Sequence, residues 1–208
     1  MRDMREIMNL SPVIPVATIP DGSDAVALAN ALTAGGISII EVTLRSETAV
    51  ESVRRIARSC PDICVGAGTV WTEAQAKSVI DAGASFIVSP GISMPVFEVC
   101  LEAGVPILPG AQTVTEIAHW VSCGLDAVKF FPAEIAGGVA ALKAFAAVFP
   151  GLSFCPTGGV SLANARDYLD LPAVPCVGGS WLVASDDLAN GNWQQVSEKA
   201  AEASELSM

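Results

Sequence analysis

With 208 residues, 51% hydrophobic and only 16% charged, the chain excludes intrinsic disorder and holds enough apolar material for one large domain or two small ones. Its net charge of -11 repels phosphate backbones and anionic lipid headgroups, which argues against nucleic-acid and membrane-surface roles. Mean hydropathy is +0.51, yet the longest uncharged run, residues 144–165, contains two prolines and three glycines and suits strand ends and loops better than a spanning helix.

The start of the chain mixes both signs of charge and has no apolar stretch of signal-peptide length before Pro12, so a cytoplasmic location is expected. A first β-rich run, VIPVATI from residue 13, precedes an Ala-rich amphipathic segment over 22–35. SIIEVTL from 38 leads to a helix over 46–60, ICVGAGT from 63 to one over 72–83, and FIVSPG from 86 to one over 94–104. VPILPGA from 105 and AVKFFP from 127 introduce helices over 113–124 and 137–148. SFCPTGG from 153 and VPCVGGS from 174 introduce the last two, over 161–170 and 186–203. Thr72 with Gln75 and Thr113 with Glu116 have capping-box spacing, and Gly35, Gly83, Gly104 and Gly124 follow helices just before the next strand. The six cysteines show no C-x-x-C spacing and read as small buried hydrophobes without a disulfide.

Strand alternating with helix implies parallel pairing, which leaves a closed barrel or an open doubly wound sheet. Eight repeats favour the barrel, so the expected fold is a single-domain α/β (β/α)8 TIM barrel over 1–208, with no linker. Chemistry in that fold collects where strands end.

Lys129 is the only one of four lysines inside a strand, the others falling in predicted helices. A buried ammonium is costly unless paired, and desolvation favours the neutral amine that can attack a carbonyl. The alternative is a structural ion pair between Lys129 and Glu41. Glu41 and Arg45 share strand parity with Ile39 and Thr43, so both are expected to face the barrel interior, where a carboxylate can move protons. The strand ends TGG (157–159) and GGS (178–180) are the seventh and eighth, where this fold commonly binds phosphate through backbone N–H groups. His119, the single histidine, cannot build a multi-histidine metal site and reads as structural; no metal and no cofactor are expected.

The stretches GISIIEVTLR (36–45) and GLDAVKFFPAEIAG (124–137) resemble the two active-site signatures of 2-keto-3-deoxy-6-phosphogluconate (KDPG) aldolases, which also act as 4-hydroxy-2-oxoglutarate (KHG) aldolases. VGAGTV (65–70), SPG (89–91), FCPTGGVS (154–161) and GGSWL (178–182) extend the likeness over nearly the whole chain. The resemblance implies a class I, metal-independent aldolase, usually a homotrimer, that cleaves KDPG to pyruvate and glyceraldehyde 3-phosphate. It implies Lys129 as the Schiff-base residue, Glu41 as the general acid/base, and Arg45 and Thr69 as holders of the pyruvyl carboxylate. Phe131 and Pro90 would wall the pyruvyl pocket, Thr157 would contact the sugar hydroxyls, and Gly158, Gly159, Gly179 and Ser180 the phosphate. Ala111 and Gln112 depart from the family's pattern, which bears on fine substrate preference. The competing readings are an aldolase for the galactose-configured substrate or chiefly for KHG, a phosphate-binding isomerase or synthase without covalent catalysis, and a non-enzymatic sugar-phosphate module.

Overall fold

The computed structural model of the chain describes residues 3–207. In chain order the elements are α1 (Met4–Met8), β1 (Val13–Ala17), α2 (Ala25–Ala34), β2 (Ile39–Thr43), α3 (Ala49–Ser59), β3 (Cys64–Gly68) and α4 (Glu73–Asp81). There follow β4 (Phe86–Ser89), α5 (Met94–Ala103), β5 (Ile107–Ala111), α6 (Val114–Ser122), β6 (Ala127–Phe130) and α7 (Gly138–Val148). The chain ends with β7 (Ser153–Pro156), α8 (Leu162–Leu169), β8 (Val177–Gly179), α9 (Ser185–Asn190) and α10 (Trp193–Ser204).

All strands pair in parallel in the order β7-β6-β5-β4-β3-β2-β1-β8, and a bridge between Thr157 and Gly178 brings β7 back to β8. The result is the (β/α)8 barrel expected, in one domain. Parallel strands covered by helices outside and filled by side chains inside are apolar on both faces, and β2, β3 and β5 are buried at every position. Between strands, both capping boxes form: Thr72 and Thr113 accept from the Gln75 and Glu116 amides, and the two side chains reach back to the cap backbone. None of the six cysteines forms a disulfide. Among the described residues no helix is long and apolar enough to cross a membrane.

Three departures from the sequence pattern concern the ends. Helix α1 was not expected, because five residues are too short for a helical period to register. It is held by a capping box between Asp3 and Glu6 and buries Met4, Ile7 and Met8. Arg5 Nε donates to Ser153 Oγ at 3.1 Å, fastening α1 to the start of β7 at the N-terminal end of the barrel. The strand expected from residue 174 narrows to Val177–Gly179. The helix expected over 186–203 is broken at Gly191, whose φ of 68° ends α9, and the corner is tied by Lys199 Nζ donating to Asp187 at 2.6 Å.

Candidate active site

Strand alternation turns Glu41 of β2 into the barrel, where it is only 3% exposed. Gly68 on neighbouring β3 makes this possible, since a β-carbon there would lie 2.0 Å from Glu41 Oε1. From β6, four strands away in the sheet order, Lys129 enters the same space at 6% exposure. Its Nζ donates to Glu41 Oε1 at 3.1 Å and lies 3.4 Å from Oε2. The pair is therefore the buried ion pair that the sequence offered as an alternative. It is not sealed, however: both side chains line a cavity of about 520 Å³ at the C-terminal end of the barrel. A basin of about 650 Å³ between Leu10, Asp62 and Ser85 at the opposite end has neither lysine nor arginine in its lining.

Around the pair, Thr69, Pro90 and Phe131 line the cavity. The Phe131 ring centroid is 5.4 Å from Lys129 Nζ, within cation–π range, and the Phe131–Pro132 peptide is cis. Thr69 has a φ of 60°, the only positive value outside glycine among the described residues. A β-branched residue held there is strained, and such strain concentrates where a side chain or amide must be aimed at a ligand. Arg45 corrects the sequence reading. It lies past the end of β2 in a turn and is exposed, so its guanidinium edges the cavity mouth instead of facing the interior. Strand alternation stops at Thr43, so the inward direction of Glu41 does not carry on to Arg45.

On the far side, Thr157 is buried while Gly158, Gly159 and Ser180 line the opening. The two glycines have φ values of 97° and 80°, and their loop is tied to the β6–α7 loop: the amides of Ala133 and Glu134 donate to Thr157 O and Gly158 O at 2.8 and 3.1 Å. The Tyr168 hydroxyl of α8 in turn donates to the Glu134 carboxylate. Gly179 is not among the residues that line the cavity. A β-carbon on it would fall 1.7 Å from the Trp181 ring, so the residue leaves room for that indole while Gly178 takes the lining position.

The sequence missed several wall residues. Trp181 and Ser185 reach the cavity from the short 3-10 turn Trp181–Val183 and the start of α9, elements too short to announce a direction. Thr18 lies beyond β1 and lines the cavity beside Thr43. Strand alternation carried past Ala17 from Val16 could have found it. His119 is packed, as expected, against Trp120 edge-on and within 3.3 Å of Met94 Sδ.

Fold and site together define a (β/α)8-barrel enzyme whose centre is a lysine amine in contact with a carboxylate, flanked by a guanidinium and a glycine-rich backbone. The family model of KDPG and KHG aldolases matches residues 4–199. The chain is 48% identical to the 2-dehydro-3-deoxy-phosphogluconate aldolase of Dickeya dadantii over 198 residues, covering 95% of this chain and 93% of that one. It is 47% identical to the KHG/KDPG aldolase of Escherichia coli K12, covering 96% and 93%. The crystal structure of the KDPG aldolase of Legionella pneumophila, with pyruvate captured as a covalent carbinolamine intermediate, superposes with a TM-score of 0.93 at 42% identity, over 96% of this chain and 97% of that one. The chain belongs to the KDPG and KHG aldolase family and is a carbon–carbon lyase.

Proposed function

We propose that this chain is a class I aldolase that cleaves KDPG to pyruvate and glyceraldehyde 3-phosphate and also accepts KHG. The observation that carries the reading is the Lys129 amine in contact with Glu41 on the wall of an open cavity. Passing one ammonium proton to Glu41 frees the Lys129 lone pair to attack the C2 ketone. Glu41 returns that proton to the departing hydroxyl, and loss of water from the adduct leaves an iminium, which is an electron sink, with Glu41 again a carboxylate. Glu41, acting through water, takes the C4 hydroxyl proton; the C3–C4 bond breaks, the aldehyde leaves, and the electron pair delocalises into an enamine. Protonation at C3 and hydrolysis of the imine release pyruvate and restore Lys129.

In this reading Arg45 and Thr69 hold the C1 carboxylate, and Phe131 with Pro90 walls the pyruvyl half. Thr157 meets the sugar hydroxyls, and Gly158, Gly159, Gly179 and Ser180 receive the phosphate. A phosphate at the mouth is supported by the paired glycines after β7 and the serine after β8, the strands whose loops serve this purpose in the fold. Residues 1–208 act as one aldolase domain. The reading extends to a homotrimer, as the family resemblance implies, supported by exposed Trp71, Ile92 and Ile135 on the loops after β3, β4 and β6. The metabolic character of the family supports a cytoplasmic setting.

The test is borohydride reduction in the presence of pyruvate. Peptide mapping places the reduced adduct on Lys129 and on none of Lys77, Lys143 or Lys199. Lys129→Met, which keeps the length but lacks the amine, loses both adduct and turnover while remaining folded. Turnover surviving in folded Lys129→Met would hand the site to a noncovalent isomerase or synthase.

A further inference from the structure

Outside the residues already given roles, the cavity wall between β1 and β2 carries a pair of hydroxyls. Thr18 Oγ1 lies 2.8 Å from Thr43 Oγ1, and Thr43 Oγ1 lies 3.1 Å from the Ala17 carbonyl. A carbonyl only accepts, and Thr43 has one hydroxyl hydrogen. Both contacts are hydrogen bonds only if Thr43 donates to Ala17 O and Thr18 donates to Thr43. Thr43 is 1% exposed and its hydroxyl is thereby satisfied. Thr18 is half-buried, its hydrogen is committed, and its oxygen retains a free lone pair on a residue that lines the cavity.

We infer that Thr18 is a specificity-determining residue, an acceptor-only hydroxyl that takes a hydrogen bond from the C5 hydroxyl in the aldehyde half of the substrate. The placement follows from the strand register. Val16 pairs with Glu41 and Ala17 with Val42, which puts Thr18 level with Thr43, two residues beyond Glu41 toward the mouth. Two residues of strand span about 6.6 Å. A substrate bonded through C2 to Lys129 has C2 and C3 beside Glu41, and C5, three bonds beyond C2, lies toward the Thr18 layer. The C4 hydroxyl gives its proton to Glu41, so the C5 hydroxyl is the donor left for an acceptor on this wall. Thr157 lies on β7's side of the cavity and serves the same half of the substrate. KHG has a C4 hydroxyl but carries no hydroxyl at C5, so this contact separates the two substrates.

The inference rests on the aldolase reading above, and one experiment keeps the two apart. The kcat/KM values for KDPG and KHG are measured for the wild type, Thr18→Val and Thr18→Ser, with borohydride trapping of pyruvate on the wild type. Valine is nearly isosteric and lacks the acceptor. In Thr18→Val the ratio of kcat/KM for KDPG to that for KHG falls about five- to tenfold, the worth of one neutral hydrogen bond, and serine restores it. A ratio within about twofold of wild type in Thr18→Val overturns the inference, as does a Thr18→Ser ratio as low as that of valine. A wild type that traps no pyruvate overturns the aldolase reading, and this inference with it.

Discussion

Glu41 owes its position to a glycine on the next strand and its partner to a strand on the other side of the barrel, and in the proposed reaction its one task is to carry protons. Glu41→Gln keeps shape and hydrogen-bonding capacity but cannot take a proton. Turnover of KDPG falls about 10²- to 10⁴-fold, as steady-state rates will show, while near-UV circular dichroism stays that of the wild type. A rate near wild type would remove Glu41 from the proton relay. Ser180 is exposed at the cavity mouth just after β8, the place proposed for the phosphate. Ser180→Ala raises KM for KDPG more than KM for KHG, which has no phosphate, and equal effects on both would withdraw the phosphate assignment.

The loops after β6, β7 and β8 form one framework. The β6–α7 loop is hydrogen-bonded to the β7–α8 loop through Ala133 and Glu134, α8 holds it again through Tyr168, and burial together with the Glu134 carboxylate pushes the Tyr168 phenol well above its ordinary range. Beside them, the Trp181 indole sits in the space that Gly179 leaves open. Gly179→Ala therefore moves Trp181, a cavity wall, and costs about 1–3 kcal/mol of stability through overpacking. Gly91, with nothing within 4 Å of an added β-carbon, provides the control: Gly91→Ala stays within about 0.5 kcal/mol in the same denaturant titration. Equal midpoints for the two variants would remove the packing role of Gly179.

At the scale of the whole molecule, a strongly acidic chain nonetheless exposes Trp71 at 62% and Ile135 at 84%. Large apolar side chains on the rim suit burial between subunits. Light scattering will give three times the 21.4 kDa of one chain, and Trp71→Glu will lower that mass by placing a charge in the contact. A wild-type mass of one chain would withdraw the trimer.

Much of this architecture was legible in the sequence because the signals are local. Eight apolar runs separated by amphipathic segments imply parallel pairing and by their number favour a barrel over an open sheet, and Thr72–Gln75 and Thr113–Glu116 mark helix starts because their hydrogen bonds span three residues. Lys129 and Glu41 stood out because charge inside an apolar strand is costly. What lay beyond the sequence depends on groups distant along the chain. The 3.1 Å contact between Lys129 and Glu41 joins residues 88 apart, and only closure of the barrel sets it. Arg45 at the rim, Gly179 beneath Trp181 and the break at Gly191 all sit where a strand or helix stops. There the period that makes side-chain direction readable ends, and packing between elements decides where each group points.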